Sequence, residues 1–247
     1  MQFTTDGLVL RENETGENDR VITLLTRTNG IIRAFAKGTR SLRSKNAAAT
    51  QLFCYSRFGI FKGRSAYTVD EAEPKELFYG LRKDMEKLTL AQYFCELALA
   101  LAPEEDEAGD FLRLFLNGFY YLDTAKRPVH IVKAAVELRA LSLAGYMPNL
   151  VGCEKCGAFE GEPMYFRIKQ GALLCGGCYR EDGVITLPVN RGVLTALRHA
   201  VYAPFEKLFA FDLPERDAAA LAEAAEAYLL CQLERNFKTL RFYHQLP

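Results

Sequence analysis

Four cysteines fall in two pairs, Cys153-Glu-Lys-Cys156 and Cys175-Gly-Gly-Cys178, with eighteen residues between the pairs. Two residues between thiols let a tight turn aim both sulfurs at one tetrahedral ion, and this spacing is that of a four-thiolate zinc site. Four thiolates close the tetrahedron and leave no position for water or substrate, so the predicted zinc is structural. A redox reading would want one C-x-x-C beside a strand–helix–strand pattern, which the chain lacks. The other three cysteines, Cys54, Cys95 and Cys231, stand singly in apolar surroundings.

A second constellation lies in the first third of the chain. Between Arg20 and Val69 there are ten basic residues and not one Asp or Glu. At the chain's average acidic frequency, 31 in 247, these fifty residues should hold about six carboxylates. The basic set is Arg20, Arg27, Arg33, Lys37, Arg40, Arg43, Lys45, Arg57, Lys62 and Arg64, interleaved with Phe35, Phe53, Tyr55, Phe58, Phe61 and Tyr67. Cations pair with phosphates and aromatic faces stack on unpaired bases, so the mixture predicts a surface for single-stranded nucleic acid. The whole chain is formally neutral, yet residues 1–69 carry +6 and the remainder −6, an asymmetry that points to a nucleic-acid or membrane contact by one segment. Around the cysteines the charges balance: Lys155, Arg167, Lys169 and Arg180 are offset by Glu154, Glu160, Glu162, Glu181 and Asp182.

No catalytic signature accompanies these features. There is no G-x-x-x-x-G-K loop, no G-x-S-x-G and no H-E-x-x-H, and His130, His199 and His244 are dispersed. A metal-dependent nuclease needs carboxylates beside the bound phosphate, where this basic stretch has none. The expectation is a protein that is not an enzyme. The first residues, Met1 to Asp6, have neither the charged nor the apolar region of a signal peptide, and the most apolar stretch, 88–102, is too short to span a bilayer. A cytoplasmic protein without a membrane contact is expected.

The elements that must position these residues are strands first and helices after. Runs at 4–12, 20–26, 31–38, 52–61 and 65–71 read as five short strands, with Asn29-Gly30 as a hairpin turn and a longer connection over 39–50. Five strands so spaced predict a small barrel of the OB type. Alternation places Arg33, Phe35 and Lys37 outward on the third strand, with Ile32, Ala34 and Ala36 inward. On the fourth, Phe53, Tyr55, Arg57 and Phe61 share a face. An outward Phe35 could equally be covered by a following domain. After Pro74 the period becomes helical, with helices expected from 77 towards Pro103, at 111–122, 128–145, 190–202 and 214–243, and a hairpin over 162–174 between the cysteine pairs. The fold class is thus α+β: an OB-type barrel at 1–75, a helical domain in two parts, 76–150 and 186–247, and a cysteine module inserted at 151–185.

In order and spacing the chain resembles the RecO family of bacterial recombination mediators. The likeness rests on Gly7-Leu8-Val9-Leu10, Glu17-Asn18-Asp19, 26–30, Ala36-Lys37-Gly38-Thr39-Arg40 with Ser44-Lys45, and Tyr93-Phe94-Cys95-Glu96-Leu97. Its clearest part is Val136-Glu137-Leu138-Arg139-Ala140-Leu141 followed by Gly145-Tyr146-Met147-Pro148 and Cys153-x-x-Cys156-Gly157. The resemblance implies binding to single- and double-stranded DNA, annealing of complementary strands, and, with RecR, loading of RecA onto DNA coated by single-strand-binding protein. It implies a nucleoid-associated location. Lys37 and Arg40 match the family's basic K-G-x-R segment and inherit a DNA contact from it. Arg33, Phe35, Arg43, Lys45, Arg57, Lys62 and Arg64 are expected at the DNA by charge and strand alternation alone. For the C-terminal tail of single-strand-binding protein, Lys133 and Arg139 are the candidate contacts. The alternative is a zinc-containing interaction scaffold that recognises acidic partner tails. A zinc-ribbon transcription regulator would need a recognition helix, and none is legible.

Overall fold

Alternating apolar and polar residues over the first 76 positions form the five strands of a closed barrel, in a computed structural model that describes residues 1–41, 44–64 and 66–246. The strands are β1 (Gln2–Thr15), β2 (Asp19–Thr26), β3 (Gly30–Ala36), β4 (Tyr55–Lys62) and β5 (Tyr67–Glu76), and their order around the barrel is β1-β2-β3-β5-β4. The long β1 pairs with β4 through its first half and with β2 through its second, and a register shift between Val9 and Arg11 bends it between the two. β3 and β5 close the barrel with a short parallel contact, Ala34 opposite Tyr67 and Phe35 opposite Thr68. The interior is filled by Val9, Ile22, Leu24, Ile32, Ala34, Ala36, Phe58, Ile60 and Val69 among others. The inward set on β3 is therefore the apolar one, as alternation requires.

The connection from β3 to β4 is tied down. Arg20 donates to the Ala47 carbonyl (3.0 Å) and the Thr50 hydroxyl (3.2 Å), while Asn46 accepts from the Ala72 amide (3.0 Å) along the free edge of β5. Arg20 thus acts within the barrel. Arg43 lies outside the described residues. Phe53 departs from its expected face. Its φ of 68° precedes the start of β4, and its ring is buried edge-on to Phe119 at 5.5 Å. An αL turn reverses the alternation there, so Phe53 belongs to the core and not to a stacking surface.

Helices α1 (Met85–Leu101) and α2 (Gly109–Thr124) complete the same compact unit, with α6 (Lys238–Tyr243) returning to it. A 3-10 turn at Tyr79–Lys83 separates β5 from α1, and Asp84 caps α1 by accepting from the Lys87 amide. Glu96 of α1 caps α6 in turn, accepting from the Thr239 hydroxyl at 2.6 Å and its amide at 3.2 Å.

The second unit, residues 125–236, is built on α3 (Val129–Leu143), which is buried from Ile131 to Leu141. Around it stand α4 (Arg191–Tyr202), capped by the Asn190 side chain, and α5 (Glu215–Leu233). The helix expected over 214–243 is two helices: Glu234 adopts φ 47°, ends α5, and lets the chain turn before α6. Between α3 and α4 lies a four-stranded sheet of β6 (Asn149–Cys153), β7 (Met164–Arg167), β8 (Ala172–Cys175) and β9 (Thr186–Val189), ordered β6-β8-β7-β9. The predicted hairpin is β7–β8. Among the described residues no helix is long and apolar enough to cross a membrane.

Candidate nucleic-acid interface and metal centre

On the outer wall of the barrel, Arg33, Phe35 and Lys37 are all exposed, as the alternation along β3 requires. The parallel pairing of β3 with β5 sets Phe35 beside Thr68, and the antiparallel pairing of β5 with β4 sets Thr68 beside Phe61. Residues in register on neighbouring strands share a face, so Phe35, Thr68 and Phe61 form one row. Both rings are open to solvent, 44% for Phe35 and 51% for Phe61. Next to this row a groove of about 560 Å³ is lined by Arg33, Phe35, Lys62, Arg64 and Tyr67, and also by Glu104 and Glu105. Four of the predicted DNA residues thus meet in one concavity, drawn from β3 and from the β4–β5 hairpin.

The other predicted residues are elsewhere on the barrel. Lys45 and Arg57 line a second groove of about 470 Å³ with Asn46, Gly59, Glu71 and Glu73. Here the acid-free run of the sequence is not acid-free in space. Arg57 pairs in register with Asp6 of β1 on one side and Glu73 of β5 on the other. Arg40 lies by the β1–β2 turn, where it donates to the Glu17 carbonyl (3.1 Å) and pairs with Glu14 at 3.0 Å. Lys37 is exposed.

Of the two glutamates at the first groove, one binds the residues that line it. Glu105 accepts from the Lys62 ammonium at 3.3 Å and from the Tyr67 hydroxyl at 3.2 Å. Contact with Tyr67 and Glu105 holds the Lys62 ammonium above the ordinary lysine value. Glu105 carries no motif, and only the fold places it here.

Lys133 and Arg139, expected to receive a partner's tail, are instead buried inside the second unit. Lys133 is 1% exposed and sits between Glu137 (2.8 Å) and Glu226 (2.6 Å). Burial alone would lower its pKa, but the two carboxylates outweigh it and hold the ammonium above the ordinary value. Arg139 is 8% exposed and donates to the carbonyls of Ala200 (3.1 Å) and Ala203 (2.6 Å) at the end of α4. Both residues join helices, because polar side chains on a fully buried helix must find partners within the bundle. Neither offers a surface to a partner.

Cys153, Cys156, Cys175 and Cys178 converge, with every sulfur within 4.8 Å of the others. Cys156 and Cys175 Sγ are 3.7 Å apart, far longer than a disulfide. Four sulfurs bound at about 2.3 Å around a tetrahedral ion would stand about 3.8 Å from one another, so the set fits zinc. The knuckles are formed by local backbone bonds, Gly157 N–H to Cys153 O at 2.8 Å and Cys178 N–H to Cys175 O at 3.0 Å, with Gly157 at φ 73°. Burial tends to raise the Cys153 thiol, but backbone N–H groups of Cys175, Cys156 and Lys155 aim at its sulfur and bring it down to about 6. Hydrogen bonds with Cys156 and Cys175 push Cys178 up to about 12. Four thiolates this close repel one another unless a cation lies among them. Arg167 bridges Glu154 (3.1 Å) and Asp182 (2.7 Å), which ties the first knuckle to the segment after the second. Arg198 of α4 binds the carbonyls of Leu150 (2.7 Å) and Phe159 (2.6 Å), and so fixes the module to the helices of its unit.

Comparison with known proteins gives matches across the chain. Residues 1–78 match the family model described as recombination protein O N terminal, and residues 82–241 match recombination protein O C terminal. The chain is 37% identical over 243 residues to the DNA repair protein RecO of Acetivibrio thermocellus, covering 98% of this chain and 96% of that one. It is 33% identical over 247 residues to the DNA repair protein RecO of Desulforudis audaxviator, covering 99% and 97%. With the protein of the same description from Symbiobacterium thermophilum the identity is 32% over 247 residues, with the same coverage.

Proposed function

The chain belongs to the RecO family of DNA repair proteins, and from that premise we propose that it holds single-stranded DNA on the barrel and anneals it to a complementary strand. The observation that carries this reading is the groove where Arg33, Lys62 and Arg64 surround Phe35, beside the Phe35–Thr68–Phe61 row. Cations spaced along the groove bind successive phosphates, and the two rings take bases by stacking. Stacking and phosphate contacts leave the Watson–Crick edges free, so a second strand can pair without nucleotide hydrolysis. Annealing on this surface therefore needs no catalytic step. Lys37, Arg40 and Lys45 extend the basic surface beyond the groove, and Arg57 contributes least because acids flank it.

Within the cell the same protein acts with RecR and single-strand-binding protein to load RecA onto gapped or resected DNA. Membership of the RecO family supports these partners. The four cysteines hold a structural zinc ion, which locks the β6–β9 module and takes no part in chemistry.

The test is fluorescence anisotropy of a labelled single-stranded oligonucleotide, titrated at low and moderate salt with wild type and with Arg33→Ala/Arg64→Ala. Steeply salt-dependent binding that the double variant loses while remaining folded is the expected result. Wild-type protein that ignores the oligonucleotide but binds an acidic peptide would overturn the reading in favour of an interaction scaffold.

A further inference from the structure

The segment from Pro103 to Ala108 is anchored at both ends to the barrel. Ile31 donates its amide to the Pro103 carbonyl at 2.8 Å, and Ala108 donates to the Arg27 carbonyl at 2.9 Å. Glu104 bridges to Gly30 and Ile31 at the start of β3. This docking depends on Gly30, because a Cβ there would stand 2.1 Å from the Pro103 carbonyl oxygen. Between the anchors project four consecutive acids, Glu104, Glu105, Asp106 and Glu107, all exposed. Glu105 is held at φ 53°, a left-handed conformation that a non-glycine side chain adopts only when its surroundings enforce it. In that conformation its carboxylate meets both Lys62 and Tyr67 in the basic groove.

We propose that the 104–107 loop is a built-in competitor for the nucleic-acid groove, with the Glu105 carboxylate occupying a position that a DNA phosphate takes over. This rests on the reading of the groove as the DNA-binding surface. A carboxylate with two acceptor contacts, to an ammonium and a phenol, reproduces what a phosphate oxygen would make there. The Lys62–Glu105 pair is open to solvent, with side chains 47% and 60% exposed. A pair so exposed is weak and screened by salt, so a polyanion offering several phosphates displaces it. The loop then acts as a threshold. Short or weakly held strands do not compete with it, while a strand spanning the groove and the ring row does. Anchors at Pro103 and Ala108 keep the loop near the groove after displacement, so it recloses on release and favours turnover of annealed product.

The test compares wild type with Glu105→Gln, Glu107→Gln and Arg33→Ala/Arg64→Ala by anisotropy on a single-stranded oligonucleotide across a salt series. Glu107 belongs to the same loop but lies outside the groove lining, so its variant removes an equal charge without removing the contact. Glu105→Gln is expected to bind about two- to fivefold more tightly at low salt, the range of an exposed ion pair, with the gain shrinking as salt rises. Glu107→Gln should gain clearly less. Equal gains for both variants, or no gain for Glu105→Gln while Arg33→Ala/Arg64→Ala still weakens binding, would overturn the competitor proposal alone. If Arg33→Ala/Arg64→Ala leaves binding unchanged, the groove itself is misassigned and both readings fall.

Discussion

Arg57 on β4 stands directly opposite Glu73 on β5, with Asp6 of β1 in register on its other side. The row Phe35–Thr68–Phe61, further along the same strands, contains no carboxylate. On the proposed reading, a polyanion is held less well beside Arg57 than along the Phe35 row. Arg33→Ala and Arg64→Ala should each flatten the dependence of log binding constant on log salt by about one unit per lost phosphate contact. Arg57→Ala should change that slope far less. Equal slopes for all three variants would show that the acids do not screen Arg57.

Lys37 and Arg40 differ in the same assay. Lys37→Ala removes an exposed charge and should lower affinity evenly across oligonucleotide sequences. Arg40 also binds the β1–β2 turn through the Glu17 carbonyl and Glu14. Arg40→Ala should therefore lower the unfolding free energy slightly as well, by about 0.5–1.5 kcal/mol on denaturant titration.

Phe35→Ala and Phe61→Ala test stacking apart from charge. Each should weaken single-strand binding by about 1–3 kcal/mol and leave the salt slope unchanged. Duplex DNA, whose bases are already stacked, should bind these variants nearly as well as wild type. A matching loss on duplex would mean the rings support the fold of the groove and not its bases.

Zinc removal should act on the second unit and spare the barrel. Metal analysis should find one zinc ion per chain, and Cys178→Ser should lose it. Ligand thiols must shed protons to bind the ion, and with Cys178 pushed up to about 12 its proton leaves on binding at neutral pH. Affinity for zinc should therefore rise with pH and fall in acid, measurable as proton release in weak buffer. Chelation should lower the unfolding midpoint while anisotropy on DNA persists at low temperature.

Lys133→Met leaves Glu137, wholly buried on α3, beside a lost cation. Breaking such a buried pair costs about 3–5 kcal/mol, read as a shifted urea midpoint at constant slope. The folded pKa of Lys133 is raised, so this stabilisation is complete below the ordinary lysine value and is lost only as pH climbs through the folded one. Neutral-pH stability should therefore be insensitive to Lys133 titration, and DNA binding by the variant should be unchanged while it is folded.

The local patterns of the chain determined much of this by themselves. Each C-x-x-C knuckle was legible because turn geometry depends only on neighbours in sequence, while the pairing of β6 with β8 brings the two knuckles together. Alternation along 31–37 placed Arg33 and Phe35 outward and Ala34 and Ala36 inward, because a strand's side-chain period is fixed by its backbone. Tertiary structure alone decided which charges meet. Asp6, Glu73 and Glu105 lie outside the acid-free run, yet cross-strand register and a docked loop bring them against Arg57 and Lys62. Phe53 changed faces through one residue in the left-handed region, which no alternation registers. Lys133 and Arg139 read as surface cations until packing of α3 against α4 and α5 enclosed them. Electrostatic fields and burial depend on distance in space, and distance in space is set by pairings between residues far apart along the chain.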